Sequence, residues 1–463
     1  MLKKLLSHLV AFGTPLLFLI YKFSHLLFRF GDGNAYLYMA RSLLSGQLPY
    51  RDFFLADPPA LVLFLTPFVA IFKNHLLWLQ MLPSILESGT ATLLYLFLRR
   101  RENPLAFLAP AIYLFAFSTL ATSDYLSGVQ LVIFASVLAI FLHDRGSNFW
   151  SGVAWGIAAM AKLYALPAIV GFLIYLAIRR DWRTVTRVVL GTTAAATVLM
   201  GPFLLISFDK VWQYMVIHQF HRPPGNAKAA VWGFLFAKEW FLLIAAVFGG
   251  FVSGKRRWAL ILPLGLTALF FLLFQDLYYL YLDNMIAYLA ILAVIFLGYL
   301  WGRAGTKKIA AMLVLFYAVF LFAGFADYQS NFLTRGRFEN APEVAALVKT
   351  MPDGKYLYGS HEVAPLVALL ADRSLLPGYI DTNAQAFGSG AQDRELASRL
   401  LVENGGFLIA RITDLPDLGI RDAGYEGLFN QDIFKNVCRR AAVFPSTSRE
   451  SDNFLVLYHC VLR

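Results

Sequence analysis

The chain has 463 residues, 59% of them hydrophobic and 16% aromatic, with a formal net charge of +11 and a mean hydropathy of +0.60. This composition excludes a disordered chain and, over most of the length, a water-soluble globular domain. The positive charge does not point to nucleic acid, because the basic residues stand at the ends of apolar stretches and form no basic face.

Eleven apolar stretches lie between Met1 and about residue 326, each read as a transmembrane helix. With Lys3 and Lys4 on the inner side, the first helix, about 9–29, leads out. It lacks a small-residue cleavage site and is read as retained. A polar external segment, about 30–74, follows. Helix two, about 75–98, returns to Arg99–Arg101, helix three (104–121) leads out to Asp124, and helix four (126–142) returns to Asp144 and Arg145. Helices five (149–162) and six (165–178) form a short hairpin with Lys162 near its outer tip. Helix seven, 185–207, leads to a loop holding His218, His221 and Arg222. Helices eight to eleven occupy about 231–251, 258–275, 283–301 and 309–326. The run 59–74 is either a further span or, given Pro58–Pro59 and Pro67, a re-entrant or interfacial helix.

Residues 1–326 carry 26 Lys+Arg against 12 Asp+Glu, and residues 327–463 carry 14 against 17. The basic excess therefore belongs to the helical part. In this topology 16 Lys+Arg lie inside, while Asp32, Asp52, Asp57, Asp124, Asp209, Asp276 and Asp283 lie outside. That asymmetry orients the protein with a cytoplasmic N-terminus and an extracytoplasmic tail, in a cell (inner) membrane.

The tail, 327–463, alternates short apolar strands (355–360, 406–411, 453–462) with helical patterns (341–351, 362–371, 392–404). The alternation predicts a small soluble α/β domain with a mainly parallel sheet. No glycine-rich nucleotide fingerprint opens its helices. Cys438 and Cys460 both lie in the tail, and spacing leaves open whether they pair. The expected fold class is thus a polytopic α-helical membrane domain, 1–326, with a C-terminal α/β domain.

The polar stretch from Phe30 to Ala60 carries the chemistry. Asp32 follows the first helix at the outer membrane face, where a carboxylate can serve as a general base or merely cap the helix 34–44. Charges within spans, Lys22, Glu87 and Lys162, are functional candidates because burying them in lipid is costly. Glu87 either faces the same cavity or pairs with Lys22. Snorkelling to outer headgroups explains Lys162 equally simply.

The run Asp32, Tyr36, Ala40-Arg41, Leu44, Gly46, Pro49-Tyr50, Asp52 and Pro58-Pro59 resembles the first external loop of polytopic GT-C glycosyltransferases. More narrowly, it is similar to the family-39-like group of protein O-mannosyltransferases and aminoarabinose transferases. Arg99–Arg101, Ser123-Asp124, the stretch Gly156 to Lys162, the tyrosines Tyr278, Tyr279 and Tyr281, and the tail run Tyr379-Ile380-Asp381-Thr382 extend the resemblance along most of the chain.

The resemblance implies an enzyme that moves a sugar from a polyprenyl-phosphate donor to an acceptor hydroxyl, with inversion and with no need of a covalent nucleophile or P-loop. No cofactor is expected and no metal-ligand set is recognised, which leaves metal dependence open. Asp32 is then the base, and Asp124 a second catalytic acidic group that holds the acceptor or positions a cation, with a helix cap as its alternative reading. Lys162 receives the donor phosphate, with Arg41 and Arg222 as alternatives, since arginine matches phosphate bidentately; either arginine equally fits an ion pair with Asp32 or Asp209. Asp52, Asp57, His218, His221, Tyr281 and Glu87 are candidates for substrate contact. Asp57 before Pro58 also fits a turn. His218 and His221 have metal-like spacing but no third ligand, and Tyr281 also fits an interfacial aromatic belt. The expected partners are the lipid-linked donor, a lipid, glycan or protein acceptor, and membrane lipids. A lipid or oligosaccharide flippase is the competing reading, disfavoured because no inverted repeat is visible.

Overall fold

In the computed structural model, residues 2–352, 355–412, 428–445 and 454–461 are described. The side chains of Lys3, Lys4, Lys255 and Arg256, which carry part of the expected charge asymmetry, lie outside what is described. So do Asn453 and Leu462, the expected ends of the last strand.

The protein is a multi-pass membrane protein. Among the described residues, six helical segments are long and apolar enough to cross a bilayer: Leu5–Ser24, Leu76–Arg100, Trp182–His221, Lys228–Val252, Tyr279–Trp301 and Ala304–Phe332. Large apolar side chains on these helices stay exposed, as with Leu205 (90%) and Phe322 (72%). Contiguous exposed apolar surface of this kind needs a lipid partner.

The chain begins with α1 (Leu2–Ser24), then α2 (Gly33–Leu44) and α3 (Ala60–Ile71) of the external segment. At 12 residues, α3 is about 18 Å long, short of the hydrocarbon core. Helix α4 (Leu82–Arg100) returns through the bundle. The expected third span is broken into α5 (Ala109–Leu114) and α6 (Phe117–Thr122), with Ala116 extended between them. Polar side chains make the break tolerable. The Ser118 N–H donates to Glu239 at 2.8 Å, and Thr119 and Thr122 donate to Asp283 at 3.1 and 2.6 Å.

Next come α7 (Val129–Asp144), α8 (Asn148–Ala161), α9 (Leu166–Ile178), the long α10 (Trp182–Trp212) and the short α11 (His218–His221). Helices α8 and α10 cross at backbone distance. A Cβ on Gly152 would sit 2.1 Å from the Val188 carbonyl oxygen, and one on Gly191 would sit 2.1 Å from that of Phe149. Small residues at such crossings let apolar helices associate without a hydrophobic driving force. This crossing fixes α8, which delivers Lys162 at its C-terminal end. Helices α12 (Lys228–Val252), α13 (Trp258–Leu273), α14 (Ile286–Trp301) and α15 (Lys307–Asp327) complete the bundle.

The C-terminal part contains α16 (Ala341–Lys349), β1 (Leu357–Gly359), α17 (Ala364–Ala371), α18 (Ala384–Gly388), α19 (Arg394–Glu403), β2 (Phe407–Ile412), α20 (Gln431–Val437), β3 (Cys438–Pro445) and β4 (Phe454–Cys460). The sheet order is β1-β2-β4-β3. Strands β1 and β2 run parallel, while β4 is antiparallel to both β2 and β3. The expectation of a mainly parallel sheet is therefore corrected. Strand β3 has no counterpart among the expected elements, and a strand paired directly with its successor has no crossover helix to make it parallel. Cys438 and Cys460 face each other in the β3–β4 register and form a disulfide.

The tail has a small core of its own around Tyr358, Leu408 and Phe429. Its helices α16 and α17 instead join the main core, where Val344, Leu366 and Val367 cluster with residues of α2 and α3. Helix α2 is consequently buried along nearly all of its first two turns, from Gly33 to Ala40. The start of α2 is thereby wedged between bundle and tail.

Candidate active site

Asp32 occupies the N-cap position of α2, yet its carboxylate makes no capping bond to the helix. It points instead toward the tail, where His361 Nε2 lies 3.1 Å from Oδ1. With 52% of its side chain accessible, the carboxylate is open on the side that His361 leaves free. Burial pushes the Asp32 carboxyl up. The His361 hydrogen bond and charge, with the charges of Lys162 and Arg222, outweigh it and hold the group below its ordinary value. His361 moves the opposite way: despite burial, Asp32 and Asp381 raise it to about 9. Asp381 is itself raised by burial and by Asp32 and Asp57, against the pull of His361.

Lys162 follows the last residue of α8 with extended backbone, φ −155° and ψ 135°. Its stem passes over Gly128, whose φ is +80°. A Cβ at that position would stand 3.3 Å from Lys162 Cε and 3.0 Å from the Leu61 side chain, so the crossing favours glycine on both counts. The Lys162 ammonium donates to the Tyr36 hydroxyl at 2.8 Å and forms a buried ion pair with Asp57. Tyr36 donates to the same Asp57 oxygen at 2.5 Å, and Tyr50 to the Asp57 carbonyl at 2.7 Å. The proline-rich loop is thus pinned so that Asp57 and Lys162 meet.

Arg222 leaves α11 and pairs with Asp276 at 2.5 Å, with a further bond to Gln219 Oε1 at 3.1 Å. Burial raises Asp276, and Arg222 opposes the shift. The tail reaches the same spot, Gln385 Nε2 donating to Asp276 Oδ1 at 3.2 Å. The Tyr281 ring lies beside Tyr164 with centroids 5.0 Å apart, and its hydroxyl is close enough to Arg222, Asp276, Asp32 and Asp57 to interact electrostatically with each.

Of the residues expected from sequence, Asp32, Asp57, Lys162, Arg222 and Tyr281 therefore form one electrostatically coupled group, with His218 at its edge, within electrostatic reach of Arg222 and Asp57. The others lie elsewhere. Asp124 is saturated by Lys22 at 2.9 Å, Arg29 at 3.4 Å and the Tyr328 hydroxyl at 2.5 Å. Two cations and a phenol thus engage both of its oxygens. Arg41 sits nine residues beyond Asp32, about 13 Å along α2, and pairs with exposed Asp372 at 2.5 Å. Asp52 closes its own turn, bound to Arg51 at 2.7 Å and to the Leu48 N–H at 2.7 Å. His218 docks the tail through Ser389 Oγ at 2.6 Å and the edge of Phe54. His221 is exposed and bonded locally, to the Ile217 carbonyl at 2.9 Å. Glu87 is fully buried and accepts from Tyr113 inside the bundle, with no bond to Lys22.

Sequence reasoning assigns no role to His361, Asp381, Gln385, Asp276, Tyr36 or Tyr164. Tyr36 and Asp381 are visible within the resembling runs. His361 carries no local signal, since nothing in its neighbourhood marks it as facing residue 32. Among the described residues, no group of three or more His, Cys, Asp or Glu side chains is disposed to hold a metal ion. The site offers carboxylates to accept a proton, two fixed cations to receive an anion, and aromatic rings beside them.

Residues 54–274 match the model of glycosyltransferase family 87. No curated protein matches the sequence. The crystal structure of ArnT from Cupriavidus metallidurans bound to undecaprenyl phosphate is similar to this chain, with TM-score 0.62 and 14% identity over 98% of this chain and 97% of that one. Its apo form gives 0.59 and the same identity. Arabinofuranosyltransferase AftD from Mycobacteria, a cryo-EM structure, gives 0.55 and 12% identity over 97% of this chain and 40% of that one. The matching family model is numbered 87, whereas the external loop resembles family 39; the broader class is common to both readings. The fold is that of the GT-C membrane glycosyltransferases, and residues 54–274 within it carry the match to a glycosyltransferase family.

Proposed function

We propose that this protein transfers a sugar from a polyprenyl-phosphate donor to an acceptor hydroxyl on the outer face of the membrane, with inversion at the anomeric carbon. The observation that carries the reading is the convergence of an ionised carboxylate, Asp32, with two cations, Lys162 and Arg222, at the junction of bundle and tail. The ArnT neighbour, solved with undecaprenyl phosphate bound, supports the donor class.

Asp32 takes the proton from the acceptor hydroxyl, whose oxygen attacks the anomeric carbon opposite the phosphate. The bond from that carbon to the phosphate oxygen breaks, and the electron pair leaves with the lipid phosphate. Lys162 and Arg222 stabilise the charge that builds there. Their carboxylate partners, Asp57 and Asp276, hold both cations in place before the donor arrives, so little reorganisation is needed. His361, held protonated by Asp32 and Asp381, completes the Asp32 environment from the tail and keeps the base ionised. Tyr281 and Tyr164 offer ring faces to the sugar.

The eleven-span topology, with the domain 327–463 outside, fits this reading. A disulfide such as Cys438–Cys460 persists in an oxidising compartment. The tail then lies on the same side as Asp32, whose partner it supplies.

The test is Asp32→Asn assayed in proteoliposomes with a polyprenyl-phosphate sugar. Turnover should fall by about 10²–10⁴-fold while donor binding survives. Unchanged turnover removes Asp32 from the chemistry, and a lipid-translocation signal that persists without glycosyl transfer favours a flippase.

A further inference from the structure

The other end of the bundle holds a second polar feature. Helix α7 starts beside Lys162 and runs 16 residues to Asp144, about 24 Å away. There the ends of α4, α7 and α9 and the start of α13 surround a cleft of about 500 Å³ lined by Arg100, Arg101, His143, Asp144, Tyr175 and Arg179. Asp144 engages Arg101 at 2.9 Å and Arg100 at 3.3 Å. Arg179 donates to the Tyr175 hydroxyl at 2.9 Å and, among the described residues, not to a carboxylate. Three guanidiniums against the Asp144 carboxylate, with Asp181 near enough to act on Arg179 and His143, leave the cleft net positive.

Three features go beyond a generic basic membrane edge. Arg101 is stacked on Phe97 at 4.1 Å and ion-paired, so its planar fork is preorganised. The cleft is walled by several helices and is not a flat rim. Its flank is apolar and aromatic: Ile178 and Trp182, on either side of Arg179 in the chain, and Trp258, next to the lining residue Ala259, are all exposed. Tryptophans so placed mark headgroup depth, and the apolar flank gives acyl chains a surface. A free inorganic anion would use the guanidiniums but not that flank.

We propose that this cleft binds the phosphodiester headgroup of an anionic phospholipid in the leaflet opposite the active site. Basic pockets between helix ends recognise such headgroups by charge and bidentate hydrogen bonding. The bound lipid ties α4, α7, α9 and α13 together at the end of the bundle remote from Lys162.

The full-length protein in detergent is titrated with phosphatidylglycerol, phosphatidylcholine or inorganic phosphate and followed by native mass spectrometry and thermal unfolding. Phosphatidylglycerol should be retained and raise the unfolding temperature, and phosphatidylcholine should do neither. Arg100→Gln/Arg179→Gln should weaken phosphatidylglycerol binding by about fivefold per guanidinium. Arg303→Gln, a basic residue outside the cleft lining and stacked on Tyr299, should leave it unchanged. Arg179→Gln alone strips no carboxylate of its partner, so it carries the test if the double variant fails to fold. The proposal is overturned by equal retention of phosphatidylcholine, by undiminished binding in the Arg179 variant, by an equal loss in Arg303→Gln, or by stabilisation with inorganic phosphate but not with the lipid.

Discussion

His361 Nε2 lies 3.1 Å from the Asp32 carboxylate across a sequence separation of 329 residues. The contact joins the N-cap residue of α2 to the turn after the tail's first strand. Each partner shifts the other: Asp32 below its ordinary value, His361 up to about 9.

A pH dependence follows. The raised group, His361, adds stability that is complete below its unfolded value near 6.5 and drains away as pH rises through about 9. The lowered group, Asp32, adds stability that is complete above its unfolded value and is lost as pH falls through its depressed one. Turnover should therefore hold across neutral pH and fall above about 9. In His361→Gln the alkaline limb should disappear, the acidic limb should move upward, and turnover at neutral pH should drop by up to about a hundredfold as Asp32 loses its orientation. A pH–rate series on both proteins decides this; an unmoved acidic limb in the variant defeats it.

Lys162 and Asp57 form a buried pair, so Lys162→Gln leaves an uncompensated carboxylate. The expected loss is about 3–5 kcal/mol of stability together with weaker donor binding. Adding Asp57→Asn should restore much of the stability without restoring the affinity, because the phosphate still lacks its cation. Unfolding curves and donor titrations on the two single variants and the double separate the effects. Recovery of both together makes Lys162 a structural residue only.

Asp124 is expected to behave differently from Asp32. Asp124→Asn leaves Lys22 and Arg29 buried without their anion, which should cost about 3–5 kcal/mol. Turnover per folded molecule should stay within about threefold of the parent, since the change acts through folding and not through the barrier. A hundredfold fall in turnover with an unchanged unfolding temperature would return Asp124 to the catalytic group.

The α8–α10 crossing offers a packing test. Gly191→Val must push against the Phe149 carbonyl oxygen and should destabilise by about 1–3 kcal/mol or more. Gly233→Ala, where no atom lies within 4 Å of the new methyl, should be nearly silent. Thermal unfolding of the two variants in one detergent gives the comparison, and similar losses in both show the crossing to be loose.

The limits of sequence reading appear in individual elements. Helices α10 and α15 are plain from length and apolarity, since a lipid-facing helix must be apolar along its own chain. The break between α5 and α6 is not, because its cost is met by Glu239 and Asp283 from distant helices. Strand β3, with exposed Arg439 and Arg440, has no clean alternation to betray it.

By itself the sequence determined that the protein lies in a membrane, and it raised Asp32, Lys162 and Arg222 as candidates among several other charged residues. Membrane insertion and charge asymmetry depend on composition along the chain, so they are written locally. Only the tertiary structure decided that Asp124 belongs to Lys22 and Arg29, that Arg41 faces away, and that His361, Asp381 and Gln385 reach across from the tail. Electrostatic partnership falls off over a few ångströms in space, and chain separation carries no information about that distance.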